Sequence, residues 1–309
     1  MRALVADPSA SPALTLADVS EPTPGRGQLL VDMEAASVNR GEIRLAPKLP
    51  PGTVAGWDVA GTVAALGEGV TQFDVGDRVL ALSEAGGTFA ERVLAPAAWT
   101  APLPYACDFV TASTLPVAGV TAVGINRLAR VHAGDRVLVT GAAGGVGGFA
   151  VQLAREAKAT VTGQAGSEER AAVVRAAGAD ALVHPGDGSP VDGEFDVVLD
   201  GIGGPMIAAL VEATARHGRM VVYGNSADAA STFRIERLYN KGVTMYGFRV
   251  FTTVPPEQAV KDMANLAEQA VAGRLAVRVQ ATAPLADALP LIQDLYARKV
   301  TGKVVITRS

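Results

Sequence analysis

The chain has 309 residues, of which 49% are hydrophobic and 19% charged, with a formal net charge of −4. This is enough chain for a large core in two domains. The absence of any basic tract or basic aromatic stripe excludes nucleic acid as a natural partner. The single cysteine, Cys107, excludes an intrachain disulfide and a cysteine-rich metal site, and MRALVADPSA at the start lacks the basic and apolar regions of a secretory signal. The reading is a soluble cytoplasmic protein with no membrane partner.

Residues 1 to 100 carry short strand-like runs punctuated by Gly and Pro: ALTLADV, GQLLVDMEAASV, AGWDVAGTVAALG, GDRVLALS and GTFAERVLAP. No long helical pattern interrupts them, so the spacing predicts a β-rich, barrel-like domain. Within it, SVNRGEIRLA (37 to 46) sets Asn39 beside Arg40, Glu42 and Arg44. Two readings of the charges stand, as groups lining a site or as a solvated loop with ion pairs worth under about 1 kcal/mol. Trp57 is likewise either a wall of a substrate pocket or ordinary packing.

The stretch VLVTGAAGGVGGFAVQLAREAKATVTGQAGSEER (137 to 170) has a different character. Val137 to Thr140 is a β-branched run without polar alternation, as expected of a strand buried on both faces. Gly141 to Gly148 is a turn, and Phe149 to Lys158 has helical spacing. Residues 137 to 154 are uncharged for 18 positions, yet five are glycine, so they read as strand, turn and helix rather than a membrane span. Ala142, Gly144 and Gly147 occupy the three slots of G-x-G-x-x-G, a turn that lets backbone N–H groups approach a phosphate at a helix start. Strand and helix patterns then alternate through VTMYGFRV, which predicts a parallel, doubly wound sheet. Ligands in such sheets lie outside the carboxyl ends of the strands, and a dinucleotide is the expected ligand.

The second strand end selects the dinucleotide. An acid there would bind the adenosine ribose and favour NAD, but Gln164 to Ser167 contains none. Ser167 and Arg170 offer a hydroxyl and a cation to a 2′-phosphate, which favours NADPH over NADH. Ser167 also reads as a plain helix N-cap, with Glu168 and Glu169 complementing the dipole. His132, His184 and His217 fall in turn or helix-end contexts and, with one cysteine, cannot build a tetrahedral metal site. The C-terminal stretch AVRVQATAPLADALPLIQDLYARKVTGKVVITRS returns to strand, helix and strand, as if rejoining the first domain.

Taken together and in order, AASVN (35 to 39), AGWDVAG (55 to 61), GVTQFDVGDRV (69 to 79), TLPVAGVTA (114 to 122), GDRVLVTGAAGGVG (134 to 147), DGIGGP (200 to 205), GRMVVYGN (218 to 225) and TGKVVI (301 to 306) carry a family likeness. The chain resembles the zinc-independent medium-chain dehydrogenase/reductases, on their quinone oxidoreductase or zeta-crystallin-like branch. The resemblance implies an α/β chain: a GroES-like β-rich catalytic domain over 1–114 and 255–309, and a Rossmann NADPH-binding domain over 115–254. It also implies a homodimer joined at the sheet edges. Sister branches place a zinc-ligating His where Trp57 stands, so no metal is expected.

The resemblance further implies roles for single residues. Asn39 lies near nicotinamide and substrate and is the first candidate donor to the developing enolate oxygen, its amide donating without titrating; Arg44, where many relatives have Tyr, is the second, as a cationic donor, with Arg40 and Trp57 beside the substrate. Thr121 flanks the nicotinamide. Ala143, Gly144, Gly145, Val146 and Gly147 form the phosphate turn, and Gly224, Asn225, Gly247, Phe248 and Arg249 are strand-end loops around the cofactor. Arg298 corresponds to an arginine that reaches the cofactor phosphates in some relatives, or is a helix C-terminal cation. Pro185 replaces a Tyr near the adenosine end. The expected activity is reduction of quinones or activated C=C bonds (enones, enoyl thioesters) by direct hydride transfer, which needs no metal because the product enolate is stabilised by conjugation. The alternative is an NADPH-binding protein of the same fold with little or no turnover.

Overall fold

The computed structural model describes residues 1–183 and 191–308. His184 and Pro185 lie outside them. The chain divides into two compact units, Met1–Val120 with Pro255–Ser309, and Thr121–Val254. In chain order the first unit begins with β1 (Arg2–Ala6), β2 (Leu14–Asp18), β3 (Gln28–Val38), α1 (Arg40–Leu45), β4 (Asp58–Leu66), β5 (Arg78–Leu82), β6 (Arg92–Pro96), β7 (Thr100–Pro102) and α2 (Phe109–Ser113). Then come α3 (Val120–Leu128), β8 (Arg136–Val139), α4 (Gly145–Glu156), β9 (Thr160–Gln164), α5 (Glu168–Ala176), β10 (Ala181–Val183), β11 (Phe195–Asp200), α6 (Met206–Ala213), β12 (Thr214–Val222), α7 (Glu236–Lys241), β13 (Thr244–Gly247) and α8 (Val250–Thr253). The first unit is completed by α9 (Pro256–Val271), β14 (Val279–Pro284), α10 (Ala288–Tyr296) and β15 (Lys303–Thr307).

The first unit is built on a sheet ordered β14-β15-β3-β4-β5-β7, with β6 also paired to β3. Only β14 and β15 run parallel; the other pairs are antiparallel. The long strand β3 serves β4, β6 and β15 by means of irregularities after Leu30 and Met33, since such bulges bend a strand and re-aim its partners. In β4 a Cβ on Gly61 would come within 2.1 Å of the Asp32 carbonyl oxygen, so only glycine lets the two backbones close up there. Apolar residues alternating along these strands, among them Leu29, Val31, Met33, Val59, Val79 and Ile306, form one core with Phe89 and with Ile292 of α10. One end of this sheet matters below. Val304 of β15 is opposite Val38 of β3, and Ala60 of β4 is opposite Ala35, so residues 37–39, 58 and 303 gather at one corner.

The second unit has a six-stranded sheet ordered β10-β9-β8-β11-β12-β13, every neighbouring pair parallel. The order reverses between β8 and β11, the switch point of a doubly wound sheet. Val137, Leu138, Val139, Val197, Val198 and Leu199 are fully buried, which is why these runs show no alternation. The architecture is therefore α/β, a β-rich unit plus a doubly wound parallel-sheet unit.

One element adds to the sequence reading and one differs from it. MRALVA forms β1, whose Ala3, Leu4, Val5 and Ala6 are buried. The helical pattern GPMIAALVEATARHG stops at Ala213, and Thr214 onward is strand. Thr214 pairs with Phe195, then pairing resumes only at Val197 and Arg219, with His217 in the left-handed region at φ +59° inside the irregularity. No described helix is long and apolar enough to cross a membrane.

Candidate active site

In the second unit the carboxyl ends of the parallel strands share one edge of the sheet. Thr140 follows β8, and its hydroxyl donates to Asp200 Oδ1 at 2.6 Å, while the Gly201 N–H donates to the Thr140 oxygen at 3.0 Å. Asp200, fully buried at the end of β11, also accepts the N–H groups of Ile202 (3.1 Å) and Gly203 (2.9 Å). Burial pushes its carboxyl above the usual range, and the bonds from Thr140 and those two amides pull the other way. Tyr223, after β12, reaches back to the Thr140 carbonyl at 3.4 Å, and a Cβ on Gly201 would run into its ring at 2.7 Å. Burial, with Asp200 nearby, pushes the Tyr223 hydroxyl upward, so it stays a neutral donor. This network ties the loops on either side of the switch point together.

The turn itself has little room for side chains. A Cβ on Gly147 would stand 2.3 Å from the Gly141 carbonyl oxygen, and Ala142 and Ala143 are buried beside it. Gln164 at the end of β9 clamps the turn from the other side, its Oε1 accepting the Gly141 N–H at 3.0 Å and its carbonyl the Ala142 N–H at 3.2 Å. Helix α4 then starts on exposed Gly144, with no side-chain cap and no acid in its first turn. The first intrahelical bond runs from Gly148 N–H to Gly144 carbonyl at 2.9 Å, which leaves Gly145, Val146 and Gly147 as the amides of the open first turn. Open amides, the positive end of the helix dipole and the lack of a competing carboxylate fit a bound phosphate or pyrophosphate.

Ser167, Gly224, Asn225 and Gly247 stand at or just after the ends of β9, β12 and β13. Ser167 is the N-cap of α5, its oxygen accepting the Arg170 N–H at 3.3 Å, and the Arg170 guanidinium lies over Gly166, 4.0 Å from where a Cβ would stand. Both thus flank the end of β9. Gly224 cannot carry a Cβ without meeting the Gly201 carbonyl at 2.8 Å, and Asn225 stands over Gly203. Gly247 ends β13 in open space, whereas the buried Phe248 ring is taken up by Gly124 of α3, where a Cβ would meet it at 2.4 Å. Phe248 therefore offers the edge its backbone only. Thr121 is buried on that same helix, and Arg249 stacks over Phe251 at 5.0 Å.

The first unit holds Asn39, Arg40, Arg44, Trp57 and Arg298. At the corner where β3, β4 and β15 meet, Asn39 caps α1 and Glu42 Oε1 accepts its backbone N–H. The Asn39 amide is spoken for on both sides. Its Oδ1 accepts from Lys303 Nζ at 2.6 Å, and its Nδ2 donates to Asp58 Oδ2 at 2.8 Å and faces Glu42 Oε1 at 3.3 Å. Asp58 also accepts the Ser37 hydroxyl at 2.6 Å and the Val117 N–H at 2.8 Å, and pairs with Lys303 at 3.8 Å. Lys303 Nζ completes its set on the Val38 carbonyl at 3.2 Å. Glu42, Asp58 and Lys303 are each under 5% exposed. Burial, then Asp58, pushes Glu42 well up; burial pushes Asp58 up against the pull of Lys303; burial pushes Lys303 down against the pull of both carboxylates.

This geometry corrects two expectations. Glu42 is not part of a solvated loop. Asn39, expected as a donor to a substrate oxygen, has both amide hydrogens directed at carboxylates, so its side chain has no spare donor. Arg44 sits half-buried in the last turn of α1, Arg40 Nη1 donates to the Leu295 carbonyl of α10 at 3.1 Å, and the Trp57 ring lies so close over α1 that a Cβ on Gly41 would be 2.9 Å from it. Arg298 follows α10 at φ +61°. Sequence reasoning passed over Asp58 and Lys303, and placed Gln164 and Asp200 at strand ends without a role of their own. Asp58 and Lys303 each adjoin an apolar strand run, in WDVAG and TGKVVI, and a charge next to a buried strand is the signal that could have found them.

Residues 25–105 match the alcohol dehydrogenase GroES-like domain, and residues 145–269 match the zinc-binding dehydrogenase domain. The chain is 31% identical to bovine (Bos taurus) prostaglandin reductase-3, over 97% of this chain and 86% of that protein. It superposes on mycobacterial Rv1454c, solved in complex with NADPH, with a TM-score of 0.91 and 29% identity over 99% and 100% of the two chains. It superposes on 2-haloacrylate reductase with a TM-score of 0.86 and 26% identity over 99% of each. The zinc in the second domain's description does not suit this chain. Among the described residues no group of three or more His, Cys, Asp or Glu side chains could hold a metal ion. His132 lies exposed beside Asp135 at 3.6 Å, His217 packs against Gly242, and Asp58 is committed to Lys303. The chain belongs to the medium-chain dehydrogenase/reductases, on their zinc-independent quinone oxidoreductase branch.

Proposed function

We propose that this protein is an NADPH-dependent reductase of quinones and other activated C=C bonds, enones and enoyl thioesters among them. The observation that carries the reading is the open first turn of α4, set at the switch point of a parallel sheet by the Thr140–Asp200 and Gly141–Gln164 bonds. The NADPH held by Rv1454c and the unsaturated acid in the name of 2-haloacrylate reductase support cofactor and substrate class. Gly145, Val146 and Gly147 bind the pyrophosphate, flanked by Ala143 and Gly144. Ser167 and Arg170 bind the 2′-phosphate that distinguishes NADPH, and Thr121, Gly224, Asn225, Gly247, Phe248, Arg249 and Arg298 complete the cofactor contacts.

NADPH, when bound, supplies a hydride to the β-carbon of the acceptor, whose own conjugation spreads the charge. What the chain adds is orientation and a donor for the developing oxygen anion. Arg44 takes that role, because its guanidinium is a cation and the Asn39 amide is already committed. Arg40 and Trp57 shape the substrate side. The protein acts in the cytoplasm as a homodimer, with β13 at the end of its sheet as the joining edge. The test is NADPH absorbance followed with a panel of quinones, enones and enoyl thioesters, with and without a chelator. Turnover of at least one class, unchanged by chelation, is expected. No turnover with NADPH bound would favour a binding protein instead.

A further inference from the structure

The buried corner of the first unit asks for an explanation, because two carboxylates and an ammonium out of water are costly and an apolar cluster of the same volume would commonly be as stable or more so. What the charges supply is orientation. An amide placed with Lys303 on one side and Asp58 with Glu42 on the other can adopt only one of its two flipped states, with Oδ1 toward the ammonium and Nδ2 toward the carboxylates. Asn39 is also the residue on which α1 begins. This six-residue helix carries Arg40 and Arg44, and six residues are too few to hold a helix by their own propensity.

We propose that Lys303 and Asp58 are positioning residues of the reductase, locking Asn39 so that α1 presents Arg44 in one fixed place. The clamp joins four distant parts of the chain: Asp58 opens β4, Lys303 opens β15, and Val117 N–H and the Ser37 hydroxyl hold Asp58 from two further sides. Lys303 donates to Asn39 and to the Val38 carbonyl and faces Asp58 at 3.8 Å, so its ammonium is directed into the corner. Its action is exerted through Asn39. The inference rests on the proposed reductase activity only for its kinetic consequence, since the mechanical claim concerns α1 itself.

The experiment uses the full-length protein and the double variant Lys303→Met/Asp58→Asn, which removes both charges together while keeping side-chain length and an oxygen for Ser37. Two readouts are taken: backbone hydrogen exchange of residues 40–45, and steady-state kinetics with NADPH and whichever acceptor the wild type turns over. The expected result is exchange in α1 at least tenfold faster, with β3 and β4 still protected. With it come a kcat at least tenfold lower, a KM changed less than threefold and an unchanged NADPH Kd. A merely structural cluster would loosen the whole sheet and spare kcat once the fold is kept. Unchanged α1 exchange overturns the proposal, as does a kcat within twofold of wild type. Should the double variant fail to fold, Asp58→Asn alone is read by the same criteria. If the wild type turns over nothing, the reductase reading falls, and the exchange result alone decides whether the clamp exists.

Discussion

The turn after β8 makes its site from backbone, whereas the corner at the end of β3 is made from buried ionisable side chains. In the turn, Gly145 to Gly147 contribute amides, and the polar side chains around them (Thr140, Gln164, Asp200) act only to hold loops in place. In the corner, Glu42, Asp58 and Lys303 are themselves the content, and the backbone merely delivers them. The difference teaches what each can tolerate. A backbone site fails when a neighbour intrudes sterically, while a charged cluster fails when one member is lost and the others remain buried without it.

The most damaging single change should be Lys303→Met. It leaves Asp58 and Glu42 without their cation, and removing one partner of a buried pair typically costs about 3–5 kcal/mol. A urea titration should show that loss, and adding Asp58→Asn should recover most of it. If the double variant is no more stable than the single one, the corner is not a compensated cluster. Next comes the turn. Gly147→Ala would put a Cβ 2.3 Å from the Gly141 carbonyl oxygen, backbone against backbone, whereas at Gly148 the nearest atom is 3.9 Å away. NADPH should therefore bind at least tenfold more weakly to the first variant and within twofold of wild type to the second, by fluorescence titration. Equal losses would mean that the turn is not shaped around a close approach.

A smaller effect is expected at the rim of the backbone site. Losing one charge-assisted contact costs about 1.5–3 kcal/mol, so Arg170→Ala should weaken NADPH by roughly tenfold or more and leave NADH as it was. Equal loss for both nucleotides would move Arg170 away from the 2′-phosphate. The gentlest test bears on the corner. With its carboxyl raised by burial, Glu42 keeps its proton to a higher pH in the folded protein than in the unfolded chain, where it is released from about pH 4.5 upward. The folded state then binds more protons, and stability falls as pH rises through that window. Glu42→Gln, which keeps the acceptor for Asn39, should flatten this decline between pH 5 and pH 8, measured by thermal unfolding. A decline as steep as in the wild type would show that Glu42 is not its source.

The same contrast explains what could be read from the residues alone. The turn is written in eight consecutive positions, Gly141 to Gly148, and β-α-β alternation declares the sheet that carries it, so both were legible. The end of α6 was not, because the irregular pairing around His217 depends on β11. The corner was illegible for a similar reason. Asn39, Asp58 and Lys303 are far apart in sequence and meet only through the pairings of β3 with β4 and β15, and no local pattern distinguishes a buried Glu42 from a solvated one. In the proposed mechanism the donor role passes from Asn39 to Arg44, because both Asn39 amide hydrogens are directed at Asp58 and Glu42.

The most direct test of the proposed chemistry is to run the wild-type protein with an enone and NADPH deuterated at the transferable position, then locate the label by nuclear magnetic resonance. The account predicts a saturated ketone with one deuterium on the former β-carbon and a solvent proton on the α-carbon, at a rate unaffected by chelators. Deuterium on the carbinol carbon of an allylic alcohol, or a rate abolished by chelation, would contradict it.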